Sequence, residues 1–198
     1  SNGIQGSTLP VSAGCALANK IESNNGISVS FIGDGTLGQG VVYETLNIAS
    51  LWCLPLLTVI ENNRIAQSTD TRQNLAGSIR KRVEAFGIKF FSTNTYNLDK
   101  LTSTTSECFN YIRSSGCPVV IEIQTDRLRS HSKGDDNRDP DLITQYYERD
   151  LLSKYLLTDE GAKLNRYFKS IVSDTINAIE NRKSKDIDIL RNDTSLET

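Results

Sequence analysis

The stretch Ile27-Ser28-Val29-Ser30-Phe31-Ile32-Gly33-Asp34-Gly35 decides how the chain folds. Its first six residues, β-branched and aromatic with two serines between them, read as a short buried strand, which a Gly-Asp-Gly turn ends. Glycines at 33 and 35 permit a sharp turn and let an anionic ligand approach the backbone with no Cβ in the way. Beyond the turn, Gln39 to Cys53 places apolar residues at Val42, Leu46, Ala49 and Cys53. That is a helical repeat, and its first N–H groups face the same point as the turn.

A second unit repeats the plan. Leu54-Pro55-Leu56-Leu57-Thr58-Val59-Ile60 reads as another buried strand, and Glu61-Asn62-Asn63-Arg64 as the polar turn at its C-terminal end. In a parallel sheet the two strand ends lie side by side, at the crevice where open α/β folds bind ligands. Asp34 would repel a bare diphosphate, so a carboxylate there makes sense with a cation between them. Mg²⁺ suits it, because it takes oxygen ligands and bridges protein oxygens to phosphates. The amide oxygen of Asn63 reaches the same metal. Singly, Gly-Asp-Gly and Asn-Asn are ordinary turn sequences; strand, helix and strand set between them make the pair specific.

Further strands at Gly87–Phe91 and Val119–Gln124 alternate with helices at Leu75–Phe86 and Leu98–Ser114, and a helix over Val11–Glu22 precedes the first strand. The pattern predicts an α/β fold with a parallel sheet flanked by helices. After a polar loop, Thr125–Pro140, come two more helices, Asp141–Leu157 and Asp159–Arg182. The last carries an apolar stripe, Leu164, Phe168, Ile171, Val172, Ile176 and Ile179, that packs either on its own domain or on another subunit. Residues 1–183 read as one domain with a C-terminal helical extension, and 184–198 as a polar tail.

At 198 residues and 37% hydrophobic content the chain can bury a substantial core. A formal net charge of −2 gives no electrostatic case for nucleic acid or an anionic membrane, and no stretch approaches a membrane span. Cys15, Cys53, Cys108 and Cys117 are scattered without metal-type spacing and read as reduced thiols. The compartment expected from them is the bacterial cytoplasm, or the mitochondrial matrix in a eukaryote.

Gly33-Asp34-Gly35-Thr36-Leu37-Gly38-Gln39-Gly40, then Tyr43-Glu44-Thr45-Leu46-Asn47, Leu51-Trp52-Cys53-Leu54-Pro55 and Glu61-Asn62-Asn63-Arg64, resemble the thiamine-diphosphate signature of 2-oxo acid dehydrogenase alpha subunits, of the pyruvate, branched-chain and acetoin types. The resemblance continues through Leu75-Ala76-Gly77 and Glu84-Ala85-Phe86-Gly87-Ile88 to the loop running from Arg127 to Asp136, and the chain starts late relative to that family.

The resemblance implies thiamine diphosphate and Mg²⁺ as cofactors, with Asp34 and Asn63 as side-chain metal ligands and Ile65 contributing its carbonyl. Gly33, Gly35 and Thr36 would line the diphosphate, and Gly3 and Gln5 would run past the thiamine, Gln5 replacing a small apolar residue. His131, the only histidine, would act near the diphosphate as hydrogen-bond donor or proton carrier. Glu44 is assigned to a subunit contact. The implied reaction is decarboxylation of a 2-oxo acid with acyl transfer to a lipoyl domain, and only with a beta-type subunit that supplies the pyrimidine half of the site. The implied partners are that beta-type subunit, in an α₂β₂ assembly, and a lipoyl acyltransferase. Two other readings stay open: a transketolase-like diphosphate-binding half subunit, and a non-catalytic cofactor-binding or assembly fragment.

Overall fold

A computed structural model of the chain describes residues 5–132, 134 and 136–181. Gly3 and the tail from 184 onward lie outside the described residues. The chain divides into two compact units, Ser1–Leu151 and Leu152–Thr198. Residues 1–183, one domain in the sequence reading, include parts of both.

In the first unit α1 (Gln5–Glu22) leads into β1 (Ser28–Gly33), a 3₁₀ turn (Asp34–Gly38) and α2 (Gly40–Leu51). Next come β2 (Leu56–Asn62), a small hairpin of β3 (Ile65–Ala66) and β4 (Thr69–Asp70), and the short helices α3 (Thr71–Asn74) and α4 (Ile79–Glu84). The unit continues with β5 (Lys89–Asn94), α5 (Leu98–Ser115), β6 (Val119–Gln124) and α6 (Pro140–Arg149). The main sheet has four strands in the order β1-β2-β6-β5, all parallel, as the alternation of strands and helices predicts.

Period-two alternation splits the core between the two faces of this sheet. Leu56 and Ile60 of β2 pack with Ile32, Phe90 and Val120 against α1, α2 and α4. Leu57 and Val59 of the same strand turn to the other face with Val119 and Ile121, where Cys108 and Ile112 of α5 cover them. β2 is central and buried on both sides, which explains its nearly unbroken apolar run from Leu56 to Ile60. β1 is an edge strand: it buries Ser30 and Ile32 but leaves Val29 and Phe31 exposed.

Two predicted helices are interrupted. The one expected over Leu75–Phe86 begins only at Ile79, because Gly77 adopts φ +75° and Ser78 caps the shortened helix. The one expected over Asp141–Leu157 breaks at Asp150, whose ψ of 120° is extended. Residues Leu151–Leu156 form α7, which crosses the boundary between the units.

In the second unit α8 (Asp159–Glu180) is capped by the Thr158 hydroxyl, which accepts the Gly161 N–H at 3.1 Å. Gly161 is its one buried residue, and Leu164, Phe168, Ile171, Val172, Ile176 and Ile179 are all exposed. Among the described residues no helix is long and apolar enough to cross a membrane.

Candidate functional site

β1 and β2 end together, with Gly33 paired to Glu61 in the register, so Asp34 and Asn63 leave the sheet at neighbouring points. A cavity of ≈ 440 Å³ opens there. It is lined by Gln5, Gly33, Asp34, Gly35, Thr36, Asn63, Ile65 and His131, which are all the sequence-nominated residues within the described part of the chain. Gln39, Ala66, Gln67 and Arg127 complete the lining. Asn62 is not part of it: its side-chain amide donates to Glu122 Oε1 at 2.6 Å. Glu44 lies exposed on α2, away from the cavity.

Asp34 begins the 3₁₀ turn and is 1% exposed. The Thr71 hydroxyl donates to its Oδ2, and among the described residues no cation forms an ion pair with it. A buried carboxylate left in this way is costly unless a cation joins it. Thr71 carries no motif of its own. The nearest sequence signal is Asp70, an N-cap residue whose carboxylate accepts the Arg72 N–H and so starts α3 with Thr71 in its first turn.

Asn63 is oriented by its own loop, because its Oδ1 accepts the Ile65 N–H at 3.1 Å. An amide oxygen keeps a second lone pair, so the same atom can also serve a metal. Arg64, at φ +67°, takes the left-handed conformation that turns the chain from β2 into the β3–β4 hairpin. The hairpin then sets the need for glycine at 35: a Cβ there would lie 2.4 Å from the Ala66 Cβ.

Gln5 sits in the first turn of α1, and its side chain turns toward the Gly-Asp-Gly segment. Its Oε1 accepts the Gly33 N–H at 2.7 Å and the Thr36 hydroxyl at 3.1 Å. The loop after β6 brings in His131 and Arg127. It is strapped by Arg138, which donates from Nη1 to the Arg127 carbonyl at 2.5 Å and from Nη2 to the Arg129 carbonyl at 3.0 Å. The same guanidinium grips Asp136 through Nε at 2.7 Å and Nη2 at 2.6 Å, holding that carboxyl down to about 2. Arg127 Nε and Nη2 are buried and have no hydrogen-bond partner among the described residues. The cavity thus holds a buried carboxylate with an amide oxygen, a set of oxygens that suits a hard divalent cation. It also holds a buried guanidinium edge that suits an anion. A metal diphosphate fits both.

The four cysteines are free thiols. Cys15 is exposed, and burial pushes the Cys108 thiol up to about 12. Burial raises the Cys117 thiol, and the neighbouring Cys53 adds to the shift.

The fold and cavity define a class: an α/β protein with an oxygen-lined cavity across the C-terminal ends of two neighbouring parallel strands. The family described as dehydrogenase E1 component matches residues 1–184. The chain is 32% identical over 192 residues to the pyruvate dehydrogenase E1 component subunit alpha of Rickettsia typhi, covering 91% of this chain and 59% of the relative. It is 28% identical over 208 residues to the subunit of the same name from Rhizobium meliloti, covering 98% and 60% respectively. A solved transketolase from Campylobacter jejuni superposes on 62% of this chain and 19% of its own, at 21% identity and a TM-score of 0.49. The chain belongs to the dehydrogenase E1 component family, among its alpha subunits. It spans about 59% of the length of the first of these curated relatives.

Proposed function

We propose that this chain holds thiamine diphosphate and Mg²⁺ as the diphosphate-binding half of a 2-oxo acid dehydrogenase. One observation carries the reading: Asp34, Asn63, Ile65, Gly35, Thr36 and His131, from three separate strand ends and loops, line one cavity. Asp34 and Asn63 would hold the metal with the Ile65 carbonyl. Gly35 and Thr36 would face the diphosphate.

When bound, thiamine diphosphate supplies the carbanion chemistry that a 2-oxo acid needs to lose carbon dioxide. The residues of this chain bind, orient and shield. Thr71 fixes the Asp34 carboxylate, the Asx turn at Asn63 aims its amide oxygen, and Gln5 braces the turn between them. His131, carried on the strapped loop and lining the cavity, would donate a hydrogen bond or carry a proton there. The acyl product would pass to a lipoyl domain of an acyltransferase. A beta-type subunit would complete the site in an α₂β₂ assembly, and the exposed apolar stripe of α8 is consistent with such a partner.

Calorimetry with thiamine diphosphate and Mg²⁺, using Asp34→Ala as control, tests the site. Binding that is as tight in the variant as in the unaltered chain would remove the metal assignment. With a beta-type subunit added, acylation of a lipoyl domain supports the dehydrogenase reading. Ketol transfer would replace it with a transketolase-like one, and cofactor binding with no turnover would leave a binding or assembly role.

A further inference from the structure

Arg127 stands out among the cavity residues because its chemistry is unfinished. Its Nε and Nη2 are buried without hydrogen-bond partners among the described residues. A guanidinium does not escape burial by losing its proton, so these donors call for an anion.

Asp136 is bound through two nitrogens of Arg138, so that guanidinium is engaged with a carboxylate. The Arg127 backbone is fixed meanwhile, since its carbonyl accepts from Arg138 Nη1. Its side chain lines the same cavity as Asp34, Thr36, Asn63 and His131.

From this placement we infer that Arg127 is a direct ligand of the diphosphate, its guanidinium turning from its buried position into the cavity it lines to donate to two phosphate oxygens. The inference rests on the reading of the cavity as a diphosphate site. The Nε and Nη2 edge of a guanidinium matches a pair of phosphate oxygens, which a lysine ammonium cannot reproduce. A metal on Asp34 and Asn63 would hold the diphosphate from one side and Arg127 from another. The loop from β6 then does more than deliver His131: it brings the one Arg or Lys side chain among the described residues that line the cavity.

The test uses the full chain, with Mg²⁺ and inorganic pyrophosphate as the first probe and thiamine diphosphate with Mg²⁺ as the second. Titration calorimetry gives the affinities, and thermal unfolding of the ligand-free protein reports on folding. Arg127→Gln should weaken Mg-pyrophosphate binding tenfold or more while the ligand-free melting temperature holds or rises, because an unmatched buried charge has gone. Arg127→Lys should fall between the two. Pyrophosphate binding by Arg127→Gln within twofold of the unaltered chain overturns the inference. So does a lowered ligand-free melting temperature in both variants, which would make Arg127 a structural residue. If the unaltered chain binds Mg-pyrophosphate but not thiamine diphosphate, the proposed function falls, and Arg127 is still judged by the pyrophosphate result. Binding of neither probe overturns both.

Discussion

The carboxamide oxygen of Gln5 accepts the backbone N–H of Gly33 across 2.7 Å, tying the first turn of α1 to the last residue of β1. The same oxygen takes the Thr36 hydroxyl at 3.1 Å, so one side chain spans both ends of the Gly-Asp-Gly turn. A small apolar residue, which the family resemblance leads one to expect at this position, could accept neither bond. Gln5 therefore acts as a brace for the turn that presents Asp34.

Gln5→Leu should remove an acceptor from two donors at once. Leaving such donors unsatisfied costs roughly 1–3 kcal/mol. For a chain of this size each kcal/mol lowers the melting temperature by about 2–4 °C. Gln5→Glu keeps an acceptor oxygen and should recover most of the loss. Thermal unfolding by circular dichroism decides it, and a Gln5→Leu protein that melts with the unaltered one would show the brace to be idle.

Gly35 and Ala66 make a second pair with a measurable coupling. A methyl group at 35 would meet the Ala66 Cβ at 2.4 Å, far inside contact distance. Gly35→Ala should destabilise by about 1–3 kcal/mol, as overpacking does. Ala66→Gly in the same chain should return much of that stability, because the obstructing atom is gone. A double-mutant cycle in urea measures the coupling, and strictly additive effects would place the strain elsewhere.

The two pairs show what the sequence discloses and what it hides. The strands are legible because β2 and β6 open on apolar runs, Leu56 to Ile60, broken only by Thr58, and Val119 to Ile121, and Asp34 with Asn63 because strand ends in a parallel sheet converge. The exposed face of β1 is not legible, since Val29 and Phe31 look like core residues until the strand proves to be an edge. Thr71 is hidden because its bond to Asp34 crosses 37 positions and depends on where the hairpin lays α3. Arg127 looks like one more charge in a polar loop; burial, which no local pattern encodes, sets it apart. Gly77 reads in sequence only as part of a family motif, yet its positive φ is what shortens the predicted helix.

Thr71 and Asp34 lead to a test of the metal assignment that keeps the ligand itself. Thr71→Val removes the hydroxyl that orients the carboxylate but leaves the charge. Loss of an orienting partner of this kind lowers metal affinity by about 10–100-fold. Asp34→Asn should go further, keeping an acceptor for Thr71 yet abolishing the dependence of diphosphate binding on Mg²⁺. Calorimetry at several Mg²⁺ concentrations separates the two, and an unchanged Mg²⁺ dependence in Asp34→Asn would move the metal off this residue.

The strap on the His131 loop has its own pH signature. The Arg138 guanidinium hydrogen-bonds Asp136 and holds its carboxyl at about 2, below the ordinary value of 3.8. A depressed carboxyl contributes its share of loop order fully above that ordinary value and loses it as pH falls through the lowered one. The strap should therefore be insensitive to pH from about 5 to about 8 and open only in strong acid. NMR titration of the Asp136 carboxyl carbon should give a midpoint near 2. In Arg138→Gln that midpoint should move back toward 3.8, and the carbonyls of Arg127 and Arg129 should lose their donor. A midpoint that stays put in the variant would mean that something other than Arg138 holds the loop against the cavity.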